Sequence, residues 1–248
     1  MTDAGPAGPS PAADGAAVPE GLVSSVVDLV NTGPVLLGAY TNAELTVVDA
    51  IVDFLEARPP DDVLAEAVRS LAARQLLVAG PPGEQIQVRG DLGIAVAFQQ
   101  RARIVLDARA TGTEPGEPWR LLLLPQPERI CLVIRIDALG VHELGLYKFG
   151  VALDLLDALL PHGPQADSRP GTDAAGVLAA AERSALVTVT PYTTSGSAET
   201  AGASTDLVLA RHDGRLHVFH RDPDDRARLV PGTPQGKDVH DTLVDLLR

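Results

Sequence analysis

The sequence has few of the residue types that support disulfide, metal or redox chemistry. Cys131 is the only cysteine among 248 residues, which excludes an intrachain disulfide, and its apolar neighbours predict a buried thiol. The zinc patterns HExxH and CxxC are missing. His217 and His220 are placed on opposite faces of a predicted strand, where they would not bind one ion together. We therefore predict no metal site and no cofactor.

The common catalytic patterns are missing as well. Ser195 and Ser197 lie in a polar loop without the GxSxG elbow of a serine hydrolase. The turn at 80–83, GPPG, lacks the Gly-Lys-Ser/Thr that a phosphate-binding loop needs. We expect a protein that is not an enzyme.

Positive charge is scarce, since lysine occurs only at Lys148 and Lys237 and the formal net charge is −13. A strongly acidic chain repels phosphate backbones, so nucleic acid and anionic membranes are poor partners. The first basic residue is Arg58, which leaves no positive start for a secretory signal, and no apolar run approaches the roughly 20 residues that span a bilayer. These features predict a cytoplasmic protein.

The chain nevertheless has the composition of a folded protein, because 45% of its residues are hydrophobic. Residues 1–19 are rich in proline, glycine and alanine and predict a disordered tail. Residues 20–40 fit either a short helix or a strand, followed by an extended piece. Thr41 and Glu44 are spaced as a capping box at the start of a helix over 42–57, and a second helix is predicted over 61–78.

Two later stretches share one order of elements. Residues 101–161 and 183–248 each predict strand, long loop, strand, tight connection, strand, turn, strand and helix. We expect an α+β fold in which two β-β-β-β-α halves form a pseudo-two-fold arrangement with extra N-terminal helices. The first half then spans 20–161, including helices 42–78 and the unit 101–161. A connector spans 162–182, and the second half spans 183–248.

This order resembles the EspG family, the cytosolic chaperones of type VII secretion in actinobacteria. The stretch VRSLAARQLLV before the first sheet is similar to a helical stretch of that family, and LARHDGRLHVFHRDPDDRARLVP is similar to its C-terminal hairpin. The resemblance covers residues 41–248 and implies a quasi-two-fold α+β fold. It also implies that the protein binds helical secretion substrates of the PE–PPE kind, without catalytic residues.

The two long loops, 110–118 and 193–205, occupy equivalent places in the predicted halves. Loops on a rigid scaffold are common binding sites, so these loops are the predicted partner-binding sites. Trp119 follows the first loop and fits either an exposed interface anchor or a core residue of a strand. The predicted binding residues are Glu114, Glu117, Trp119, Thr194, Ser195, Ser197 and Glu199.

The preferred function is a cytosolic adaptor or chaperone that binds a helical partner protein stoichiometrically, with the oligomeric state left open. A regulatory module is the first alternative, since helices 42–57 and 61–78 with the following strand could form a winged helix. That second helix offers only Arg69 and Arg74 as cations, which does not favour DNA binding. An enzyme that uses the strand with His217 and His220 is the third possibility.

Overall fold

The computed structural model describes residues 19–49, 58–80, 86–167, 171–195, 198–234 and 236–247, with the side chains of 194–199 outside this description. The described residues form a mixed α+β fold around one large antiparallel sheet. The predicted disordered tail lies outside the described residues except for Pro19. No helix among these residues is long and apolar enough to cross a bilayer.

The N-terminal part is mainly helical, and the rest is mainly β. The helices are α1 (Glu20–Thr32), α2 (Asn42–Val47), α3 (Asp61–Ala73), α4 (Gly90–Arg101), α5 (Phe149–Leu159), α6 (Ala174–Ala179) and α7 (Val239–Leu246). The strands are β1 (Val35–Thr41), β2 (Leu77–Val78), β3 (Gln87–Val88), β4 (Ile104–Thr111), β5 (Arg120–Pro125), β6 (Ile130–Ile136), β7 (Val141–Lys148), β8 (Arg183–Ser195), β9 (Ala198–Ala201), β10 (Thr205–His212), β11 (Arg215–Arg221) and β12 (Leu229–Pro231).

The large sheet has the order β1-β7-β6-β5-β4-β8-β10-β11-β12, with β9 paired to the far end of β8. The two predicted strand units therefore meet where β4 pairs with β8. This pairing runs from Ile104 opposite Pro191 to Thr111 opposite Ser184. The small strands β2 and β3 form a separate two-stranded ribbon.

The two faces of the sheet are packed by different helices. On the front face, helices α1 to α4 cover strands β1, β7, β6 and β5 through residues such as Val30, Leu71 and Phe98. On the back face, helices α5 and α7 pack through residues such as Leu156 and Leu243 against strands from β6 to β10. Strands β5 and β6 are covered on both faces, which explains why their sequences are almost continuously apolar rather than alternating.

The predicted helix over 42–57 begins correctly, but α2 is shorter. Thr41 and Glu44 form the expected capping box. The helix ends at Val47, because Val48 leaves the helical conformation and Asp49 has a φ of 53°. Residues 50–57 lie outside the described part of the chain.

The predicted helix over 61–78 is also too long, because α3 ends at Ala73. Gln75 adopts a left-handed φ of 59°, and the Leu76 N–H bonds back to the Leu71 carbonyl. This is a Schellman motif, a common C-terminal cap of a helix. Its left-handed position is usually a glycine, and because it is Gln75 here, the sequence did not indicate the helix end. Leu77 and Val78 are consequently free to pair with Val88 and Gln87.

The long loop predicted over 193–205 is mostly a β-hairpin. Strand β8 continues to Ser195, and β9 returns beside it with Thr193 opposite Thr200. The threonines of this segment favour a β-strand, but its many polar and small residues are also typical of a loop, which is why a loop was predicted. The predicted connector 162–182 contains the short helix α6, whose N-cap is Asp173.

Candidate functional site

Part of the front face is left without a helical cover. The cluster beneath α1 to α4 reaches Val105 of β4 and Tyr192 of β8. Beyond them, the front-facing side chains of Leu186, Thr188 and Thr190 on β8 are half-buried, as is Asp206 on β10. We name this area the open front face, defined by Asp107, Arg109, Leu186, Thr188, Thr190, Asp206 and Arg221.

The outer boundary of the open front face is formed by the connector and the far strands. Connector residues Ala166 and Thr172 line a small cavity together with Phe219 of β11. Phe219 is buried, as is Val208 on the neighbouring strand. The open area therefore lies at the centre of the sheet, between the helical layer and this outer cover.

A row of polar side chains crosses the open front face at one level. Asp107 on β4 lies opposite Thr188 on β8, and Thr188 lies opposite Asp206 on β10. Directly opposite residues of antiparallel strands project from the same face. Arg120 on β5 and Arg221 on β11 reach the two ends of the row. We call these five residues the polar row.

The first half of the polar row is a two-point ion pair. Arg120 donates from Nε to Asp107 Oδ1 at 2.9 Å and from Nη2 to Asp107 Oδ2 at 2.8 Å. Arg109 donates to the same Oδ2 from Nε at 3.2 Å and from Nη2 at 3.1 Å. Parallel guanidinium–carboxylate bonds fix both position and orientation, so Asp107 is held rigidly.

The second half of the polar row is built differently. The Thr188 hydroxyl donates to Asp206 Oδ1 at 2.8 Å, and Arg221 Nε donates to Asp206 Oδ2 at 2.7 Å. Two residues further along β8, the hydroxyls of Thr190 and Ser204 are 2.8 Å apart and hydrogen-bonded. The Thr188 hydroxyl therefore lies between the two groups of charges.

The carboxylates of the polar row are less exposed than two of the arginines beside them, Arg109 and Arg221. The side chains of Asp107 and Asp206 are 13% and 14% exposed, whereas those of Arg109 and Arg221 are 44% and 32% exposed. Arg120 is buried, with 3% of its side chain exposed. The guanidinium groups of Arg109 and Arg221 are therefore the most exposed charged groups in and beside the row.

The sequence contained a signal for the polar row, namely two aspartates placed within otherwise apolar strands. Asp107 interrupts the apolar strand RIVLDA, and Asp206 opens the apolar strand DLVLA. A carboxylate inside an apolar strand needs a buried partner. That the partners are Arg120 and Arg221 follows only from the strand order and register.

The first predicted binding loop lies close to the start of β8. Glu117 Oε2 accepts from the Glu114 N–H at 3.0 Å and from Arg183 Nη1 at 3.0 Å. The hydrogen bond from Glu114 and the charge of Arg183 together hold the pKa of Glu117 below its ordinary value. Glu114 itself is exposed.

Trp119 fits the core alternative better than the anchor alternative. Its ring is half-buried against the front cluster, and Nε1 donates to the Asp137 carbonyl at 2.9 Å. The only polar atom of this indole is thus occupied within the chain.

The second predicted loop lies at the opposite end of the β4–β8 pair. In the β8–β9 hairpin, Thr194 pairs with Glu199 and Ser195 with Ala198, while Ser197 lies outside the described residues. The first loop follows Thr111, and the hairpin lies beyond Pro191 at the other end of the register. Seven residue steps at about 3.4 Å separate these ends by about 24 Å, so the two loops do not meet.

The histidines are arranged as the strand periodicity predicts. His217 lies on the front face, 6.1 Å from the ring of His212, while His220 lies on the back face with Nδ1 2.9 Å from the Gly232 carbonyl. Across the described ranges, no group of three or more potential ligands among histidine, cysteine, aspartate and glutamate is placed to hold a metal ion.

Backbone groups near both sides of the sheet, on β1 and on the part of β11 that β12 does not cover, are occupied by their own chain. On β1, the Tyr40 hydroxyl donates to the Leu37 carbonyl and Glu44 accepts from the Thr41 N–H. The pairing of β1 also contains a bulge between Leu36 and Gly38. At the other side, Leu216 of β11 exchanges hydrogen bonds with connector residues 164 and 166. Such features block the pairing of a foreign strand.

No protein-family model matches this chain, and no curated protein matches it.

Proposed function

We propose that this protein is a non-enzymatic cytoplasmic adaptor or chaperone that binds a helical partner protein on its open front face. The observation that carries the proposal is an area of the front face on β4, β8 and the start of β10 where Asp107, Thr188, Thr190 and Asp206 are only half-buried, beyond the part that α1 to α4 cover.

A pseudo-two-fold relation between the halves is part of the proposal. The strand order β7-β6-β5-β4 followed by β8-β10-β11-β12 supports it, since β4 and β8 are the first strands of the two units and run antiparallel. Helices α5 and α7 follow the last strand of each unit and pack on the same back face. In this arrangement, α1 to α4 cover the front of the first half, and the partner's helices would occupy the equivalent place on the second.

The state of the sheet edges supports binding to the face rather than to an edge. Hydrogen bonds within the chain occupy Leu37 and Thr41 on β1 and Leu216 on β11. A partner that added a strand would have to break these bonds. A partner that lies across β8 and β10 breaks none of them.

The resemblance to the EspG family supports the same class of function. It suggests a helical secretion substrate, such as a PE–PPE-like protein, as the partner. The half-buried hydroxyl and guanidinium groups of the open front face suggest that this partner is recognised partly through polar contacts.

Purification of the tagged protein from its native organism tests the proposal. We expect a helical protein to co-elute in a fixed molar ratio, measured by light scattering on a sizing column and identified by mass spectrometry. A chain that always elutes alone, from cells grown with secretion active, would contradict an adaptor function.

A regulatory module is the second candidate, and the order α2, α3, β2, β3 favours it. Helices α2 and α3 contact each other, and the β2–β3 ribbon follows them as a wing would. Arg69 pairs with Glu66 at 2.7 Å, and Arg74 pairs with Glu44 at 3.1 Å, which weakens the case for phosphate contacts. DNA binding that weakens by about 10³-fold or more between 50 and 200 mM salt would nevertheless favour this candidate over the first.

A further inference from the structure

We infer that His212 and His217, on the front face of the β10–β11 hairpin, form a binding site for a transition-metal dication such as Zn²⁺. The site lies outside the open front face and needs no partner protein. Within the described part of the chain it offers two imidazole ligands, so water completes the coordination of the ion, as it does where zinc keeps open positions.

The strand register makes the two histidines neighbours. His217 lies opposite Ala210 on β10, and His212 lies two residues further along that strand, opposite Arg215. Both side chains therefore project from the front face as a diagonal cross-strand pair. Their ring centroids are 6.1 Å apart, with 42° between the ring planes. The sequence predicted no metal site because His217 was compared with His220, whereas the hairpin register pairs it with His212.

The separation of the two rings suits one bound ion. Zinc–nitrogen bonds of about 2.0–2.1 Å hold two imidazole nitrogens at most about 4 Å apart. Since each nitrogen lies at the edge of its ring, rings with centroids 6.1 Å apart reach this arrangement by small side-chain rotations. Such rotations are open to both side chains, because that of His212 is 30% exposed and His217 is half-buried.

Asp213 supplies the outer contact that metal-binding histidines commonly have. The Nε2 atom of His212 is 3.4 Å from Oδ2 of Asp213. A carboxylate beside one ring nitrogen orients the imidazole and leaves the other nitrogen for the metal, so Nδ1 of His212 is the assigned ligand atom. Asp213 and Gly214 form a two-residue hairpin turn with φ values of 50° and 68°, which keeps this carboxylate next to the pair.

The charges around the pair do not oppose a cation. Asp213 follows His212, and Asp167 lines a small cavity together with His217. Arg215, directly opposite His212, is exposed, so solvent screens its charge. Imidazole ligands favour zinc, copper and nickel, whereas magnesium prefers oxygen ligands. The pair is therefore expected to select Zn²⁺ over Mg²⁺.

Titration of the protein, freed of any affinity tag, with Zn²⁺ in competition with a chromophoric chelator tests the site. We expect one Zn²⁺ per chain, and binding at least about ten-fold weaker in His212→Ala and in His217→Ala, because each removes one of the two ligands. Asp213→Asn should weaken binding by about ten-fold. His240→Ala is the matched control, since His240 also lies beside an aspartate, 3.3 Å from Asp157 Oδ2, but on helix α7 of the back face.

Zn²⁺ should also raise the midpoint of thermal unfolding of the wild type and of His240→Ala, but not of the two hairpin variants. Circular dichroism checks their folding, and His212→Gln and His217→Gln replace any alanine variant that unfolds. Absence of Zn²⁺ binding, or binding that persists in both hairpin variants, would overturn the site. An equal loss in His240→Ala would overturn it as well, as would displacement of Zn²⁺ by an equal concentration of Mg²⁺.

Discussion

Arg120 and Asp107 are joined by two parallel hydrogen bonds at the boundary between the helix-covered and the open parts of the sheet. Arg120 is buried on the covered side, and Asp107 begins the polar row on the open side. The pair therefore connects the packed core of the first half to the proposed binding surface.

Replacing Arg120 with alanine should lower the free energy of unfolding by about 3 kcal/mol or more, because Asp107 loses its main partner in a largely buried place. Urea unfolding followed by circular dichroism measures this. The matched control is Arg135→Ala, since Arg135 is 37% exposed and pairs with the 60% exposed Glu143. A loss of at most about 1 kcal/mol is expected there. Equal losses in the two variants would mean that the Arg120–Asp107 pair has no special role.

Gly112 lies where the first loop passes the start of β8. A Cβ at Gly112 would overlap the carbonyl oxygen of Glu182, whereas a Cβ at Gly116 would meet nothing nearby. Both glycines have positive φ, 71° and 89°. Gly116→Ala should therefore cost about 1 kcal/mol from backbone strain alone. Gly112→Ala should cost a further 1–3 kcal/mol, roughly, from the overlap. Thermal and urea unfolding of both variants check the difference, and equal stabilities would contradict it.

Local signals in the sequence predicted the start of elements better than their ends. The Thr41–Glu44 capping box correctly marked the start of α2, because capping depends on neighbouring residues only. Helices α2 and α3 end at Val47 and Ala73, just before the left-handed residues Asp49 and Gln75. Because neither of these residues is a glycine, the sequence contained no local signal for the two ends.

The candidate site could not be predicted from local patterns. The two loops were predicted as one binding site because they occupy equivalent places in the two halves, but they lie at opposite ends of β4 and β8. The polar row needs the β4–β8 pairing, which joins residues about 80 positions apart, and its register. A pattern of strands does not reveal which strands are neighbours across two units.

Cys131 is fully buried in the back cluster, and burial raises the pKa of its thiol well above the ordinary range. The reactive species is the thiolate. We expect no labelling by a thiol reagent at pH 8 in the folded protein, and complete labelling in urea. Labelling of the native protein within the mixing time would contradict this placement.

Glu44 should make the contact between α2 and α3 sensitive to acid. Burial raises the pKa of Glu44, but the hydrogen bonds from Thr41 and Ser70 and the charge of Arg74 lower it by more, so the net pKa lies below its ordinary value. Its stabilising effect is then complete above the unfolded pKa, about 4.3, and is lost as the pH falls through the lower folded pKa. Glu44→Gln should lose less stability than the wild type between pH 7 and pH 3 in urea titrations. Parallel losses in the two proteins would contradict this assignment.

The most direct test of the open front face as a binding surface is a bulky substitution on it. Thr190→Trp fills the area beside Ser204, and Ser24→Trp places the same side chain on the exposed surface of α1 as a control. Both tagged variants and the wild type are purified from the native organism, and the molar ratio of the co-eluting protein is measured. We predict that Thr190→Trp loses that protein while folding normally, and that Ser24→Trp keeps it in the wild-type ratio. A Thr190→Trp variant that retains the partner in the wild-type ratio would contradict the proposed binding surface.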